Sequence, residues 1–568
     1  MLRGIPVSEG IGIGKAYVIK NTELNYDNKA VTDTEAEKGR FHEAVTTFCT
    51  STEEMAQSME QSSASKEAEI IRGHVIMLSD PFMLSQIDEK IEGGMCAEAA
   101  CEDVLDMFKM MFLSTEDELT RQRAADIDDI RARMLSILTG TELRNLSELP
   151  AGSIIVVEEL TPSMTAQLDK ANVCGIVTEK GGKTSHSAIL ARALGIPAVL
   201  SVQGVVSELV DELNVIIDGA EGIVIPDPDN EELAEYREKL DFLAKEKALL
   251  AGYADRKTVT GDGIEKDLYC NVGNIGDAVA VAENSGEGIG LFRTEFLFMG
   301  RDSEPDEELQ FESYKKAAQL FEKGTVIIRT LDVGGDKAIP YLGMKEEDNP
   351  FLGFRAVRYC LDNQDLFKTQ LRAAVRASAF GSIAIMVPLV TEADEIRMVR
   401  NLIEEIKKDL DTQGISYDKN LKVGAMIETP AASLIADILA EECDFFSIGT
   451  NDLTQYTMAA DRGNPQVSNL NSYFQPAVLR SVRHIIECGV NAGIPVGMCG
   501  EAAADPLMTP LLISFGLDEF SVSPGSVLRT RYNISRWSKR EADLIAGEVM
   551  KCKTSKEIED YLRKAISN

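Results

Sequence analysis

The sequence is poor in several residue types that common binding sites need. Its 568 residues include only four histidines and one tryptophan, and none of its ten cysteines forms a Cys-x-x-Cys pair. A zinc ribbon is therefore disfavoured, and thiols this dilute are expected to be reduced. Positive charge is also scarce, because 58 Lys and Arg stand against 93 Asp and Glu, a net charge of −35. A chain this acidic repels phosphate backbones, which argues against general nucleic-acid binding.

Long apolar runs are missing as well. No stretch approaches the roughly 18 uninterrupted apolar residues of a membrane-spanning helix. Residues 1–16 lack the apolar run and cleavage site of a signal peptide. A cytoplasmic protein without membrane insertion is therefore expected. Apolar residues still make up 44% of the chain, enough for large buried cores, and its length suggests about three or four domains.

Composition changes along the first part of the chain. Residues 1–20 are glycine-rich and strand-like, whereas residues 33–143 contain little Pro or Gly and indicate helices. Strand patterns return at 153–158, 174–178, 197–201 and 214–218. This order predicts one α/β domain, residues 1–20 and 144–226, that is interrupted by an all-helical insert, residues 21–143. Residues 226–229 form a Pro-Asp-Pro-Asp break, and the segment 227–252 is predicted to be a charged linker helix.

From residue 253 onward, apolar strand patterns alternate with helical stretches. They lie at 267–272, 289–294, 325–331, 383–387, 423–427, 444–448, 495–499 and 518–522. Eight strand–helix units predict a closed parallel (β/α)8 TIM barrel over residues 253–568, and an open doubly wound sheet is the alternative. The predicted fold class is therefore multidomain α/β with a helical insert and a C-terminal barrel.

His186 lies at the predicted start of a helix. It precedes AILARAL, and Gly195 with a following proline marks the end of that helix. Ser185 or Thr184 is expected to cap it. Free N–H groups and the helix dipole favour an anion there, so a phosphoryl group on His186 would be stabilised. The nearby Gly-Lys-Thr is not a P-loop, because position 177 is Val where that motif needs glycine. A simple capping role for the histidine is the alternative.

Charged and polar side chains follow the ends of the predicted barrel strands, where such barrels place their chemistry. These residues are Arg293, Arg329, Lys337, Arg355, Glu428, Asn451, Asp452, Arg462 and Cys499. Several guanidinium groups around one cavity suit a polyanion. Glu428 and Asp452 offer hard oxygen ligands for Mg²⁺, and Cys499 can supply a proton. Isolated surface salt bridges are the alternative, and the concentration of these residues at strand ends argues against it.

Nine longer runs extend this pattern over essentially the whole chain. They are GIPVSEGIGIGKA, TPSMTAQLD, GGKTSHSAILARALGIPAV, GIGLFRTEFLFMGRD, RTLDVGGDK, NPFLGFRAVR, GAMIETPAA, FFSIGTNDLTQYTMAADR and GMCGEAA. On these runs the chain resembles enzyme I of the bacterial phosphoenolpyruvate-dependent sugar phosphotransferase system. One departure follows Arg462, where the chain reads VSNLNSYFQPAVL and many relatives carry Leu-Tyr-Gln-Pro. It changes no residue named above.

The resemblance implies a role for each site residue. His186 would take the phosphoryl group of phosphoenolpyruvate, with Thr165 orienting it. Glu428 and Asp452 would hold Mg²⁺, and Cys499 would protonate the enolate carbon to release pyruvate. The residues that would bind phosphoenolpyruvate are Arg293, Arg329, Lys337, Arg355, Asn451, Asp452 and Arg462.

The resemblance also implies partners. The phosphoryl group would pass to the histidine-containing phosphocarrier protein HPr, which would dock on the helical insert, and the barrel would form a homodimer. His186 would swing between the barrel and HPr, with residues 226–252 and the crossings into the insert as hinges. His74 shares a helical stripe with Ile70 and Leu78 and either faces HPr or lies in a core.

Three other functions fit parts of the sequence. Pyruvate phosphate dikinase and phosphoenolpyruvate synthase resemble it around His186 and the barrel, but they require an ATP-binding domain before the histidine, which we do not expect here. The nitrogen-linked paralogue of enzyme I is disfavoured, because it usually adds an N-terminal sensory domain that we do not expect here. A non-catalytic signalling scaffold is disfavoured because Arg293, Glu428, Asp452 and Cys499 are all present.

Overall fold

The computed structural model contains two compact units. It describes residues 1–19, 26–61, 65–115, 123–141, 144, 146–182, 185–321, 323–334 and 339–567. The units are Met1–Ala244 and Lys245–Asn568.

The first unit is built around an eight-stranded sheet. Its strands are β1 Leu2–Arg3, β2 Ile5–Ser8, β3 Ile11–Ile19, β4 Ser153–Val157, β5 Val173–Thr178, β6 Ala198–Leu200, β7 Asn214–Asp218 and β8 Ile223–Pro226. Their order is β1-β8-β7-β3-β4-β5-β6-β2, with β3 to β6 parallel and the outer pairs antiparallel. Ile154 and Val156 face one hydrophobic core while Ile155 and Val157 face another. Burial on both faces explains the uninterrupted apolar run of β4.

Among the described residues, five α-helices lie between β3 and β4, as predicted for residues 33–143. They are α1 Thr34–Gln61, α2 Ser65–Leu78, α3 Pro81–Glu92, α4 Ala97–Leu113 and α5 Ala124–Thr139. Phe41, Phe48, Ile87 and Val104 contribute to their common core. Asp80 accepts hydrogen bonds from the first N–H groups of α3, so the Asp-Pro pair begins this helix.

Short helices complete the first unit. They are α6 Pro162–Ala166, α7 His186–Leu194 and α8 Val205–Glu208. The charged segment after the sheet forms α9 Asn230–Ala251, whose one buried residue is Tyr236. Its ring packs against Ile216 and Ile225 of the sheet. The strand β8 was not predicted, because it has only four residues and its last one, Pro226, begins the Pro-Asp-Pro-Asp break.

The second unit is a closed parallel barrel, which excludes the open-sheet alternative. Its strands are β9 Asp267–Val272, β10 Ile289–Arg293, β11 Val326–Arg329, β12 Ile383–Val387, β13 Lys422–Ile427, β14 Phe446–Ile448, β15 Val496–Met498 and β16 Glu519–Val522. They pair in chain order, and β16 closes on β9. All eight predicted strands are confirmed to within two residues at each end.

Helices surround this barrel and follow its strands. They are α10 Ile275–Glu283, α11 Glu295–Phe298, α12 Glu307–Gln319, α13 Val357–Asp362, α14 Gln364–Ala377, α15 Ala393–Gln413, α16 Pro430–Leu434, α17 Ala436–Ala440, α18 Thr450–Met458, α19 Pro476–Ala492, α20 Thr509–Phe515, α21 Val527–Ser535, α22 Lys539–Val549 and α23 Ser555–Ser567. Strand residues that face outward pack against them, as Ile328 and Ile385 do. No helix of the described residues is long and apolar enough to cross a membrane.

Candidate active site

The C-terminal ends of parallel barrel strands meet at one rim, and this geometry gathers the predicted polar residues. Arg293 and Arg329 end β10 and β11, Glu428 directly follows β13, and Cys499 follows β15. Asp452 lies in the first turn of α18, just after β14. Five of the predicted site residues therefore lie at the mouth of one barrel.

Arg329 is held in a buried ion-pair network. Its guanidinium Nη2 lies 2.7 Å from Glu295 Oε1 and its Nη1 lies 3.0 Å from Asp332 Oδ2. All three side chains are buried. Burial opposes the charge on Arg329, but the carboxylates of Glu295 and Asp332 outweigh it and raise the pKa of the guanidinium. The arginine stays charged and fixed in direction, as anion binding requires.

Arg355 continues the same network. Its Nη2 lies 2.8 Å from Asp332 Oδ1 and 3.5 Å from Asp452 Oδ2. Its Nη1 lies 3.2 Å from the Tyr456 hydroxyl, which donates a 2.5 Å hydrogen bond to the carbonyl of Phe351. Asp332 therefore bridges two guanidinium groups, Arg329 and Arg355. Neither Asp332 nor Tyr456 was predicted as a site residue, because this bridging depends on three-dimensional proximity.

Glu428 lies at the centre of this charge cluster. Only 2% of it is exposed, and its Oε1 accepts a 2.6 Å hydrogen bond from the backbone N–H of Leu389. Burial, followed by the charges of Asp452 and Asp332, raises the pKa of its carboxyl. A Cβ at Gly449 would lie 2.7 Å from Glu428 Oε2, so a glycine is needed where β14 ends.

Asp452 carries a buried oxygen that lacks a hydrogen bond. Among the described residues nothing donates to its Oδ1, and Arg462 Nη1 lies 3.8 Å from it. Buried polar atoms are usually satisfied, so this oxygen points to a missing positive ligand. The same ligand would relieve the repulsion between Asp452 and Glu428.

These two carboxylates fit a magnesium ion. The described part of the chain holds no group of three or more His, Cys, Asp or Glu side chains suited to a metal. Mg²⁺ does not require one, because it commonly binds one or two carboxylates and takes its other ligands from water and substrate phosphate. Among the described residues of the network, four carboxyl groups (Glu295, Asp332, Glu428 and Asp452) face the buried guanidinium groups of Arg329 and Arg355, and Arg462 Nη1 lies 3.8 Å from Asp452. A divalent cation would favour the ionised form of Glu428, which burial and the neighbouring carboxylates otherwise oppose.

Cys499 combines burial with a tightly held proton. It is 5% exposed, and its Sγ lies 3.8 Å from the carbonyl oxygen of Ile448. Burial raises the pKa of its thiol to about 11, with the Ser447 hydroxyl lowering it and the Glu428 charge raising it. A thiol with this pKa is protonated at neutral pH, so the group is suited to donate a proton rather than to attack as a thiolate.

The remaining rim residues are more exposed. Arg293 is exposed at the end of β10, and the Arg462 side chain is about one-third exposed. Asn451 and Glu501 hydrogen-bond to each other at 3.3–3.4 Å. The guanidinium groups of Arg293 and Arg462 can therefore contact a ligand that arrives from solvent. Lys337, also predicted here, lies outside the described residues.

His186 begins α7, as the sequence predicted. Ser185 is the cap, because its Oγ accepts a 3.3 Å hydrogen bond from the N–H of Ala188; Thr184 lies outside the described residues. In the same unit, Thr165 is buried in α6 and its hydroxyl donates a 2.9 Å hydrogen bond to the carbonyl of Thr161. The backbone thus places His186 where the helix N–H groups favour an anion.

His74 is a core histidine. It is fully buried, its Nε2 lies 3.4 Å from Asp126 Oδ1, and its Nδ1 lies 3.7 Å from Asp129 Oδ2. Asp129 also accepts hydrogen bonds from the backbone and hydroxyl of Ser163 in α6. The interpretation that His74 faces a protein partner is therefore wrong.

Three family models match the chain in order. They describe the N-terminal domain (residues 3–123), the mobile domain (149–222) and the phosphoenolpyruvate-binding domain (247–539) of phosphoenolpyruvate-utilising enzymes. The chain is thus an enzyme of the phosphoenolpyruvate-utilising class.

Curated relatives narrow that class. The chain is 43% identical over 563 residues to a phosphoenolpyruvate-protein phosphotransferase of Bacillus subtilis, covering 99% of both chains. It is 42% identical to one of Priestia megaterium, covering 99% of this chain and 98% of the relative. A solution structure titled Enzyme I is 32% identical, with a TM-score of 0.39, over 43% of this chain and all of that one. The chain belongs to the family of phosphoenolpyruvate-protein phosphotransferases.

Proposed function

We propose that this phosphotransferase moves the phosphoryl group of phosphoenolpyruvate to His186 with the help of Mg²⁺, releases pyruvate, and then phosphorylates HPr as the first step of sugar uptake. The observation that carries the proposal is the barrel mouth. It combines fixed guanidinium groups, a protonated thiol and two buried carboxyl groups, Glu428 and Asp452. One oxygen of Asp452 has no hydrogen-bond donor among the described residues.

The buried arginines supply the first requirement, which is neutralising the charge of phosphoenolpyruvate. Phosphoryl transfer depends mainly on positioning and electrostatic stabilisation. Arg329 and Arg355 are already fixed by Glu295 and Asp332, so they need no rearrangement when the anion arrives. We assign the more exposed Arg293, Arg462 and Asn451, together with Lys337, to the outer side of the substrate.

Glu428 and Asp452 would hold the metal ion. When bound, Mg²⁺ would supply positive charge that neutralises the substrate phosphate. The backbone N–H of Leu389 fixes the direction of the Glu428 carboxylate. The unsatisfied Oδ1 of Asp452 supplies the second oxygen.

Cys499 would complete the reaction at carbon. Loss of the phosphoryl group leaves the enolate of pyruvate, and the Cys499 thiol donates its proton to C3 of that enolate. The raised pKa keeps the thiol protonated until the enolate forms.

For Cys499→Ser we expect an intact fold and a fall in pyruvate formation of about 100-fold, in the range of a lost general acid. Serine is close in size, and the contact that the Cys499 Sγ makes to the Ile448 carbonyl is long, at 3.8 Å. Pyruvate would be followed with lactate dehydrogenase. The control is Cys443→Ser, also a buried barrel cysteine but away from the rim, which should retain wild-type turnover. Unchanged pyruvate release in Cys499→Ser would remove its role as proton donor.

The other half of the reaction takes place in the first unit. We assign residues 1–20 and 144–226 to the phosphohistidine domain, residues 227–252 to the linker, and residues 253–568 to the barrel and a homodimer contact. His186 accepts the phosphoryl group where the α7 N–H groups and dipole stabilise it, and Thr165 of α6 orients the imidazole. In this proposal His186 moves between the barrel and HPr, and the reaction takes place in the cytoplasm.

We assign HPr binding to the helical insert, residues 21–143. Large apolar side chains are exposed at the end of α2, the start of α3 and the second half of α4: Ile76, Phe82, Met107, Met110 and Met111. The Phe82 and Phe108 rings lie 6.1 Å apart and join α3 to α4. Acidic residues outnumber basic ones in the insert by more than two to one. An apolar surface in acidic surroundings suits a small partner with a basic rim.

A fragment of residues 1–252 tests this division of labour. We expect it to accept phosphate back from phosphorylated HPr and to ignore phosphoenolpyruvate, because the barrel residues are gone. Incorporation of labelled phosphate would be measured from each donor. A fragment that still used phosphoenolpyruvate would show that the barrel is not the substrate site.

The whole proposal is tested by incubating the full chain with Mg²⁺ and phosphoenolpyruvate labelled in the phosphoryl group. One acid-labile phosphate per chain should form, and mass spectrometry should locate it on His186. Phosphate elsewhere, or label taken only from ATP, would reject the proposal in favour of another kinase.

A further inference from the structure

A column of polar side chains runs inside the barrel below Cys499, and none of them takes part in the phosphoryl transfer or in the protonation of the enolate. Its members are Asn271, Ser447, Glu519 and Ser521. Glu519 is the unusual member, because it is a carboxylic acid that is only 8% exposed. Its Oε1 is buried and receives no hydrogen bond from the part of the chain that the structure describes.

Strand register places Glu519 one layer below Cys499. Glu519 pairs with Gly497 on the neighbouring strand β15, and the next pair is Phe520 with Met498. Side chains alternate between the two faces of a strand, so Glu519 and Ser521 share the inner face. Cys499, two residues after Gly497, therefore lies beside Ser521 and above Glu519.

Two glycines make room for the carboxyl group. A Cβ at Gly497 would lie 2.7 Å from Glu519 Oε2. A Cβ at Gly290 on β10 would lie 2.1 Å from Glu519 Oε1 and 2.4 Å from Ser521 Oγ. The carboxyl and the Ser521 hydroxyl are therefore close neighbours over one glycine.

Ser447 offers a hydroxyl between Glu519 and the thiol. It pairs in register with Gly497 from the opposite side, so Ser447 and Glu519 flank the same glycine. Its Oγ is buried and has no hydrogen-bond partner among the described residues. Ser521, by contrast, is engaged, because its hydroxyl donates a 2.7 Å hydrogen bond to Asn271 Oδ1. Ser447 is therefore committed to no other group in register with Gly497, and its position beside Cys499, whose pKa it lowers, lets rotation of its hydroxyl bring it within reach of the thiol.

The chemistry of Cys499 creates a need for such a group. Each turnover moves the thiol proton to carbon and leaves a thiolate in a buried position that strongly favours the thiol. The thiolate must regain a proton before the next turnover, while substrate or product occupies the rim above it. A proton source below the thiol would meet this need.

We propose that Glu519 stores the proton that recharges Cys499, an inference that rests on the proposed function. The O–H bond of Glu519 breaks, the Ser447 hydroxyl takes that proton as it gives its own to sulfur, and an S–H bond forms. Glu519 is left as a carboxylate. It regains a proton from solvent by way of Asp267, which is exposed at the N-terminal end of the barrel and pairs with Glu519 in register.

The electrostatics of the column agree with a stored proton. Burial, with the charges of Asp267 and Asp518, raises the pKa of Glu519 to about 8, so the carboxyl holds its proton at neutral pH. Tyr269 on β9 also faces it, and burial raises the pKa of that phenol to about 12. Among the described residues, Cys499 also faces it, and the charge of Glu519 contributes to the raised pKa of that thiol.

Two exchange rates in the full-length enzyme test the proposal. At equilibrium, the first is the passage of ¹⁴C from pyruvate into phosphoenolpyruvate, and the second is the loss of deuterium from CD₃-pyruvate to water. In Glu519→Gln, the rate of deuterium loss should fall by about tenfold relative to the rate of ¹⁴C exchange. This factor lies at the low end of the rate losses expected when a proton-transfer group is removed. The deuterium would remain on sulfur and return to carbon.

Ser447→Ala should separate the two rates in the same direction, and it serves as the second variant if Glu519→Gln does not fold. In the wild type, the ratio of deuterium loss to ¹⁴C exchange should fall above pH 8 as Glu519 ionises.

The control variant is Asp437→Asn, an acid-to-amide change at an exposed residue, which should leave both rates at wild-type values. Equal falls in both rates would indicate a structural role and overturn the proposal, as would an unchanged ratio. Absence of ¹⁴C exchange in the wild type would instead reject the proposed function.

Discussion

His186→Ala should form no acid-labile phosphate from phosphoenolpyruvate, and pyruvate formation should fall to background. The nucleophile is lost entirely, and water cannot replace it as a carrier to HPr. The fold should persist, because Ser185 still caps α7 and alanine is the best helix former.

The matched control for that variant is His484→Ala. His484 lies exposed on α19, and its removal should leave phosphate incorporation unchanged. Circular dichroism and thermal unfolding would establish that both variants are folded. Persistent labelling of His186→Ala, on any residue, would contradict the assignment of this histidine as the phosphoryl acceptor.

Glu428→Gln should lose both Mg²⁺ binding and turnover, with kcat lower by about 1000-fold, comparable to losing a principal electrostatic contact in an active site. Glutamine keeps the size of the side chain and can still accept the hydrogen bond from Leu389. What disappears is the negative charge that faces Asp452. Calorimetric titration with Mg²⁺ and steady-state kinetics would measure the two effects separately.

The same variant has a second expected result. Burial and the neighbouring carboxylates oppose the charge of Glu428, so its removal should leave the free energy of unfolding unchanged or increase it. Glu441→Gln, an exposed substitution, should alter neither metal binding nor stability. Full Mg²⁺-dependent activity in Glu428→Gln would show that the metal is held elsewhere.

Much of the fold follows from the sequence because buried parallel strands are continuous apolar runs. The run at 383–387 coincides with β12 to the residue. Strand β8 was missed because it has four residues and ends at a proline. The closure of the barrel was inferred only from the number of strand–helix units, and it is confirmed by the pairing of β16 with β9.

The site was predictable to the extent that it depends on strand ends. Arg329, Glu428 and Cys499 could be placed at one rim from their positions after apolar runs. Their partners could not, because the bridging of Arg329 and Arg355 by Asp332 depends on how a long connection folds back. Glu519 did leave a signal that was overlooked. In the strand Glu519–Val522, Glu and Ser occupy alternate positions and so must share one face.

The buried network contains more acidic than basic side chains, so its members should differ in how well they tolerate mutation during evolution. Among its described members, four carboxyl groups share the buried guanidinium groups of Arg329 and Arg355 and the partly exposed one of Arg462. Loss of Arg329 or Arg355 would leave buried carboxylates without a counter-charge. Breaking such a buried ion pair costs about 3–5 kcal/mol. Loss of Glu428 relieves crowding instead, because burial and the neighbouring carboxylates oppose its charge. A lineage that no longer needed the reaction would lose Glu428 first, so decayed copies of this gene should keep Arg329, Arg355 and Asp332 longest.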